Sequence, residues 1–237
     1  MRGSTSGVAL VVDSLGGQAE SAYQIARMFR RHCGPFGVVV PRIAKSAATL
    51  LALGTHEIYM GRDAELGPLD AQLFDADREE WSSALDEVQA LERLNSVALE
   101  LADQAMFLFI QRTGKKIDTV LPYVLDFTAE MMKPLFDKID TVHYTQRSRV
   151  LKVAEDYATR LLKVWHPDPE SMARHLVNAY PEHGFVIDRE EASELLDLPA
   201  PSPELQQAID TLEQVLTLGP PFTAIGLFEE ASSSPCP

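Results

Sequence analysis

Cysteine, positive charge and long apolar runs are all scarce in this sequence, and each shortage closes off a class of function. Cys33 and Cys236 are the only two cysteines among 237 residues. Their spacing makes neither a metal knuckle nor a CxxC redox pair. So few thiols fit a reducing compartment, and cytoplasm is the expected location. Lysine and arginine total 21 against 35 aspartates and glutamates, a net charge of −14. Phosphate binding needs a basic field, so neither nucleic acid nor a membrane surface is expected as a partner. No stretch reaches the roughly 20 apolar residues of a membrane span, and no signal-peptide pattern opens the chain. No His, Cys, Asp and Glu cluster has metal-ligand spacing, and neither a metal nor a cofactor is expected.

What is present is an ordinary globular composition, 46% hydrophobic and 24% charged, enough for one good-sized core with a helical extension. "GVALVV" (7–12) predicts a buried strand covered on both faces, and "QAESAYQIARMFRRH" (18–32) an amphipathic helix. "GPFGVVVP" (34–41) holds a second strand, "KSAATLLALG" (45–54) a helix ended by Gly54 at C′, and "HEIYMG" (56–61) a third strand. This βαβαβ rhythm predicts an α/β fold with right-handed crossovers and a parallel sheet, whose chemistry sits in the loops leaving the strands' carboxyl ends.

From Asp75 to about Ala179 long helical periodicity takes over. "REEWSSALDEVQALERLNSVALELADQAMFLFIQRTG" (78–114) reads as one or two long helices ending near Gly114. Further helices are expected over 117–139, 147–165 and 169–179, and then "EHGFVIDREEASELLDL" (182–198) reads as strand, turn and helix. A last helix is predicted at 203–217, and "EEASSSPCP" is expected to be disordered. The expected organisation is therefore 1–74, holding the glycine turn and a serine-bearing helix, then a helical region over 75–180, a returning core segment over 181–200, and 201–237 as helix and tail.

Two loops carry the candidate chemistry. Gly16-Gly17 in "DSLGG" permits backbone conformations closed to other residues and close approach to a ligand. A dinucleotide site would want a third glycine among Gln18–Ser21 and an acidic residue ending the next strand, but that strand runs into Pro41-Arg42. A Walker lysine is absent as well. The second loop carries Ser46 at a helix start, where it is either a plain N-cap or a nucleophile. The small residues Ala44, Ala47 and Ala48 leave room around it. Backbone N–H groups of Gly17 and Ala47 could converge there on a developing oxyanion.

No base is specified by spacing. Lys45 diverges from Ser46 by about 100° on a helix. Lys115, Lys116, Lys133 and Lys138 read as solvated charges, His56 and His143 as structural or exposed, and His166 and His175 as ordinary residues of amphipathic helical surroundings.

"DSLGGQAESAYQIARMFR", "VVVPRIAKSAATLLALGTHEIYMGRDAELGPLDAQL" and "EHGFVIDREEASELLDL" together resemble the serine dehydrogenase proteinase family, a branch of the Clp-protease/crotonase superfamily. The likeness covers about 8–73 and 147–198, and "LGPLDAQL" is its most specific piece. It implies a fold of repeated ββα units and a serine protease site in the order Ser, Asp, His. By motif the nucleophile falls on Ser46, the acid on Asp70 and the base on His183. Gly17 and Ala47 would supply the oxyanion-hole amides, with Gly16 shaping the turn.

The implied function is hydrolysis of a peptide or protein substrate by a homo-oligomer. The chain departs from the family pattern at Leu15 and Ala71, where prolines are expected. Its first strand begins almost at Met1, so a leading ββα segment is expected to be missing, with the edge either left by shortening or covered by a partner protein. Two alternatives stand beside hydrolysis. One is a catalytically degenerate scaffold that binds copies or partners through 78–165. The other is an acyl-CoA enzyme of crotonase type, which the acidic surface and the missing phosphate clamp near 14–20 disfavour.

Overall fold

The computed structural model describes residues 8–70, 72–75 and 80–218. The first half runs β1 (Val8–Val11), α1 (Ala19–His32), β2 (Phe36–Val40), β3 (Ile43–Ala44), α2 (Ala47–Ala52), β4 (Ile58–Met60) and β5 (Glu65–Leu66). The valines of β2 are stiff at χ1 and pack well on a pleated surface, and all five residues of this strand are buried. β1 and β4 flank β2, both parallel to it, which gives the expected parallel sheet in the order β1-β2-β4.

β1 corrects one expectation. Among the described residues it is the outer strand, paired on one side, and Val8 and Val11 are 42% and 41% exposed rather than covered on both faces. Gly54 lies one residue past the C-cap Leu53, as expected, but not as a left-handed terminator. A Cβ there would stand 2.8 Å from the Leu51 carbonyl oxygen and 2.9 Å from Ala26 Cβ, so close packing of α1 on α2 is what requires glycine.

The chain continues with β6 (Gln72–Asp75), β7 (Glu80–Ser83), α3 (Ala84–Thr113), α4 (Ile117–Phe136), α5 (Thr141–Leu162), α6 (Pro169–Asn178), β8 (Ile187–Asp188), α7 (Arg189–Leu196) and α8 (Pro203–Leu218). Residues 80–83, expected to be helical, instead pair antiparallel with β6, and α3 starts only after Ser83. Gly114 ends α3 in the left-handed conformation, as the pattern predicted. α5 begins at Thr141 because Asp140 caps its first turn, accepting from the N–H groups of Val142 and His143. His143 is therefore helical and exposed, although a helix was expected only from 147, whereas His166 falls just beyond α5. Asp188 both ends β8 and caps α7, which leaves no turn between them. The expected disordered tail (229–237) and Ala71 lie outside the described residues.

A second small sheet escapes any periodicity argument. β3 pairs parallel with β5, and β5 pairs antiparallel with β8, so a strand from the C-terminal third is laid beside the serine loop. One apolar cluster joins the halves. Val38, Val40, Leu50 and Ile58 from the first half meet Leu161, Leu162, Leu176 and Ile187 from the second. Each such buried side chain contributes about 1.5–3 kcal/mol of transfer free energy. Among the described residues no helix is long and apolar enough to cross a membrane.

Candidate active site

The glycine turn is held against the serine loop by the main chain. Ser14 N–H donates to the Ile43 carbonyl at 2.9 Å, and Lys45 N–H donates back to the Ser14 carbonyl at 3.0 Å. This bridge brings Gly16 so close that a Cβ on it would lie 2.8 Å from the Lys45 carbonyl oxygen and 3.1 Å from Ser46 Cβ. With φ at +116°, the position excludes side chains twice over. Gly17 faces open space.

Ser46 has φ 51° and ψ −114°, a backbone state that costs a residue with a side chain about 1–3 kcal/mol. It occupies the N-cap position of α2, yet its hydroxyl makes no cap bond. Its Oγ instead donates to the main-chain carbonyl of Asp70 at 3.2 Å. The plain N-cap explanation for this serine therefore fails. Among the described residues, neither Gly17 nor Ala47 gives its N–H to a protein acceptor.

Asp70 is the hub. Its segment is fixed to α6 by Leu69 N–H donating to the Leu176 carbonyl at 2.8 Å, and its side chain is buried. Ser83 Oγ donates to Oδ2 at 2.6 Å, and Leu85 N–H donates to Oδ1 at 3.2 Å. Ser83 is the N-cap and Leu85 lies in the first turn of the 30-residue α3, whose positive end suits an ionised carboxylate. His183, on the loop between α6 and β8, places Nδ1 3.1 Å from the Asp70 carbonyl oxygen and 3.9 Å from its Oδ2. A carbonyl oxygen only accepts, so Nδ1 carries the hydrogen, and in the neutral ring the lone pair sits on Nε2. Serine hydroxyl and imidazole thus share one acceptor, although among the described residues no hydrogen bond joins them directly.

Three supporting side chains were not picked out from the sequence. Ser83 was missed as the donor to Asp70, although Ser83-Ala-Leu-Asp86 before an apolar run carries the signature of a capping box. Lys45, set aside as a poor base, is buried. Its Nζ pairs with Glu65 at 2.8 Å and donates to the Phe185 carbonyl at 3.2 Å, which ties β5 to the loop bearing His183. Thr49 Oγ1 donates to the Ala44 carbonyl at 2.6 Å and accepts from Gly67 N–H at 3.2 Å, fixing the approach to Asp70. Lys115, Lys116, Lys133 and Lys138 are exposed and do not reach the serine, and His56 is exposed beside Glu57.

Gly17, Ser46, Ala47 and Asp70 open onto one cavity of about 270 Å³, walled by Leu50, Leu69 and by Val150 and Val153 of α5. Among the described residues no group of three or more His, Cys, Asp or Glu could hold a metal ion. A hydroxyl on a strained backbone and two amides without a protein acceptor among the described residues open onto an apolar pocket, and the imidazole of His183 reaches the same Asp70 carbonyl as the hydroxyl. That set suits acyl transfer.

Residues 3–150 match the family of ClpP-like SDH-type serine proteinases. The match includes Gly16, Gly17, Ser46, Ala47 and Asp70, whereas His183 lies beyond it. Two proteins of Methanocaldococcus jannaschii, the uncharacterized proteins MJ0137 and MJ1495, are 41% and 36% identical to the chain over 64 residues. That stretch is 27% of this chain and 22% of each relative, so the chain spans about a fifth of the length of the curated relatives it matches.

Proposed function

We propose that this chain, which belongs to the ClpP-like SDH-type serine proteinase family, hydrolyses peptide bonds through an acyl-enzyme on Ser46. The observation that carries the reading is the shared Asp70 carbonyl, with Ser46 Oγ at 3.2 Å and His183 Nδ1 at 3.1 Å. Rotation of the serine side chain away from that carbonyl and towards His183 Nε2 gives up one hydrogen bond, about 1 kcal/mol. Oγ then attacks the substrate carbonyl carbon while Nε2 takes its proton. The tetrahedral oxyanion accepts from the amides of Gly17 and Ala47. The imidazolium returns the proton to the leaving amine, and water releases the acyl group by the same steps in reverse roles. Asp70, held by Ser83 and Leu85, keeps the Nδ1–H edge of the ring facing it.

The same reading extends the parallel βαβαβ sheet to the repeated ββα units of a crotonase-like fold. It also takes the protein as a cytoplasmic homo-oligomer, with a partner segment over the outer edge of β1. Turnover of a mixed peptide library tests it. Wild type cleaves, and Ser46→Ala loses about 10⁴-fold or more in rate. Equal rates in the two proteins, or no cleavage by wild type, refute the reading.

One observation favours a second reading, a catalytically degenerate scaffold: the Ser46 hydroxyl is bonded to a main-chain carbonyl and not to an imidazole. On that reading self-association survives Ser46→Ala in a protein that cleaves nothing, which sedimentation velocity and the same library decide.

A further inference from the structure

The far end of the α1–α5 seam holds a feature that the chain's net charge of −14 makes unexpected. Tyr23, Arg27, Arg30, Arg31, Arg160 and Leu161 line a cleft of about 330 Å³. Four guanidiniums gather there in a protein otherwise rich in carboxylates. Arg27, Arg31 and Arg160 have no ion-paired or hydrogen-bonded partner among the described residues. Arg30 is the frame of the cleft. Its Nε donates to the Gly54 carbonyl at 2.6 Å and its Nη2 to the Leu161 carbonyl at 2.7 Å, and burial holds its pKa below the usual guanidinium value.

Two of the free arginines are held in place. Tyr23 and Tyr157 stack at 4.3 Å, nearly parallel, with Arg27 5.6 Å from the centroid of the first ring and Arg160 5.8 Å from that of the second. Resting a guanidinium on a ring removes rotamer freedom before a ligand arrives and leaves its N–H edges for bidentate contact with a carboxylate. The cleft also shares its helix face with the catalytic cavity. Ala19, Tyr23, Arg27 and Arg30 follow one another at helical spacing on α1, as do Val153, Tyr157 and Arg160 on α5. Ala19 and Val153 line the cavity that holds Ser46.

We propose that this arginine cleft binds the carboxylate side chains of an acidic peptide segment. Resting on the proposed function, it further takes that segment to be the part of the substrate remote from the bond cleaved at Ser46. Arg27 and Arg30 lie about 12 and 17 Å along α1 from Ala19, at 1.5 Å per residue. An extended peptide covers that span with about four or five residues. Acidic residues at that remove from the scissile bond are the preferred ones. In a chain this acidic, a basic island is also where a negatively charged segment concentrates.

Fluorescence anisotropy of the full chain carrying Ser46→Ala, with a glutamate-rich peptide and its glutamine counterpart, tests this without requiring turnover. The glutamate peptide binds more tightly than the glutamine one, loses affinity as salt rises, and loses at least tenfold in Arg27→Gln/Arg160→Gln. The two substituted side chains are exposed, so an unchanged melting temperature checks that the variant stays folded. If it does not, the salt dependence and the glutamine peptide decide on the parent protein. Equal binding of the two peptides, or affinity untouched by the arginine changes, overturns the proposal. Arginine-dependent binding of pyrophosphate without binding of the peptide overturns it as well, by assigning the cleft to a phosphate ligand. Hydrolysis by wild type with no capture of the glutamate peptide by the Ser46→Ala protein refutes the cleft alone; capture of that peptide without hydrolysis by wild type refutes the catalytic reading alone.

Discussion

The serine-bearing core and the α3–α4 arm use the same twenty amino acids to opposite ends. In the core, each buried polar side chain near the site has work to do. Lys45 bridges Glu65 and the Phe185 carbonyl, Thr49 joins two loops, and Asp70 gathers Ser83 and Leu85. The arm is built almost wholly from helix. α4 buries Val120, Val124, Thr128 and Met132 at four-residue intervals and presents Leu121, Tyr123, Leu125 and Met131 to solvent. A seam of that kind needs volume and periodicity, whereas the site needs particular atoms at particular distances. Substitutions should accordingly cost far more in the first region than in the second.

The largest effect is expected at Gly16. Gly16→Val drives a branched side chain against the Lys45 carbonyl, where even a Cβ would stand at 2.8 Å, from a backbone angle valine avoids. A loss on the order of 3 kcal/mol or more in urea unfolding, with no remaining peptide cleavage, is expected. Next comes Lys45→Met, which strands Glu65 and releases the loop of His183. It costs about 3 kcal/mol, and the double variant with Glu65→Met regains most of that loss, because a removed pair leaves no uncompensated charge. A double-mutant cycle that proves additive would break the link drawn between β5 and that loop.

Ser83→Ala ranks third. It removes both the cap of α3 and the 2.6 Å donor to Asp70, so about 1–2 kcal/mol of stability is expected to go together with a fall in kcat at unchanged KM. A stability loss with kcat intact would leave Ser83 a cap and nothing more. The smallest effect belongs to the arm. Leu125→Gln, on the exposed face of α4, should move unfolding by no more than about 0.5 kcal/mol, and a larger change would mean that this face is covered in solution.

The parallel strands and the long helices were legible because each rests on a periodic pattern several residues long. Ser46 stood out as a candidate from its place at a helix start, whereas Asp70 and His183 entered only through the resemblance, since nothing local ties loops 24 and 113 residues apart. β3, β5 and β8 are two residues each, too short to carry alternation, and it is these that bring the His183 loop beside Ser46. The exposure of β1 was hidden because an apolar run looks alike at the centre and at the edge of a sheet. Residues 80–83 read as helix because long helical periodicity follows at once and the cap at Ser83 was passed over, while strand pairing with 72–75 is invisible to the segment itself. Lys45 was weighed only as a base, and its structural part stayed hidden because its partners, Glu65 and the Phe185 carbonyl, lie 20 and 140 residues away.

The three loops are most directly tested by intact-mass and peptide mapping after treatment with a fluorophosphonate. Wild type is predicted to carry one adduct, mapped to Ser46 and absent from Ser46→Ala, with labelling at least a hundredfold slower in His183→Ala. An adduct on another serine, or labelling of Ser46 at the same rate without the imidazole, would contradict the assignment of nucleophile and base.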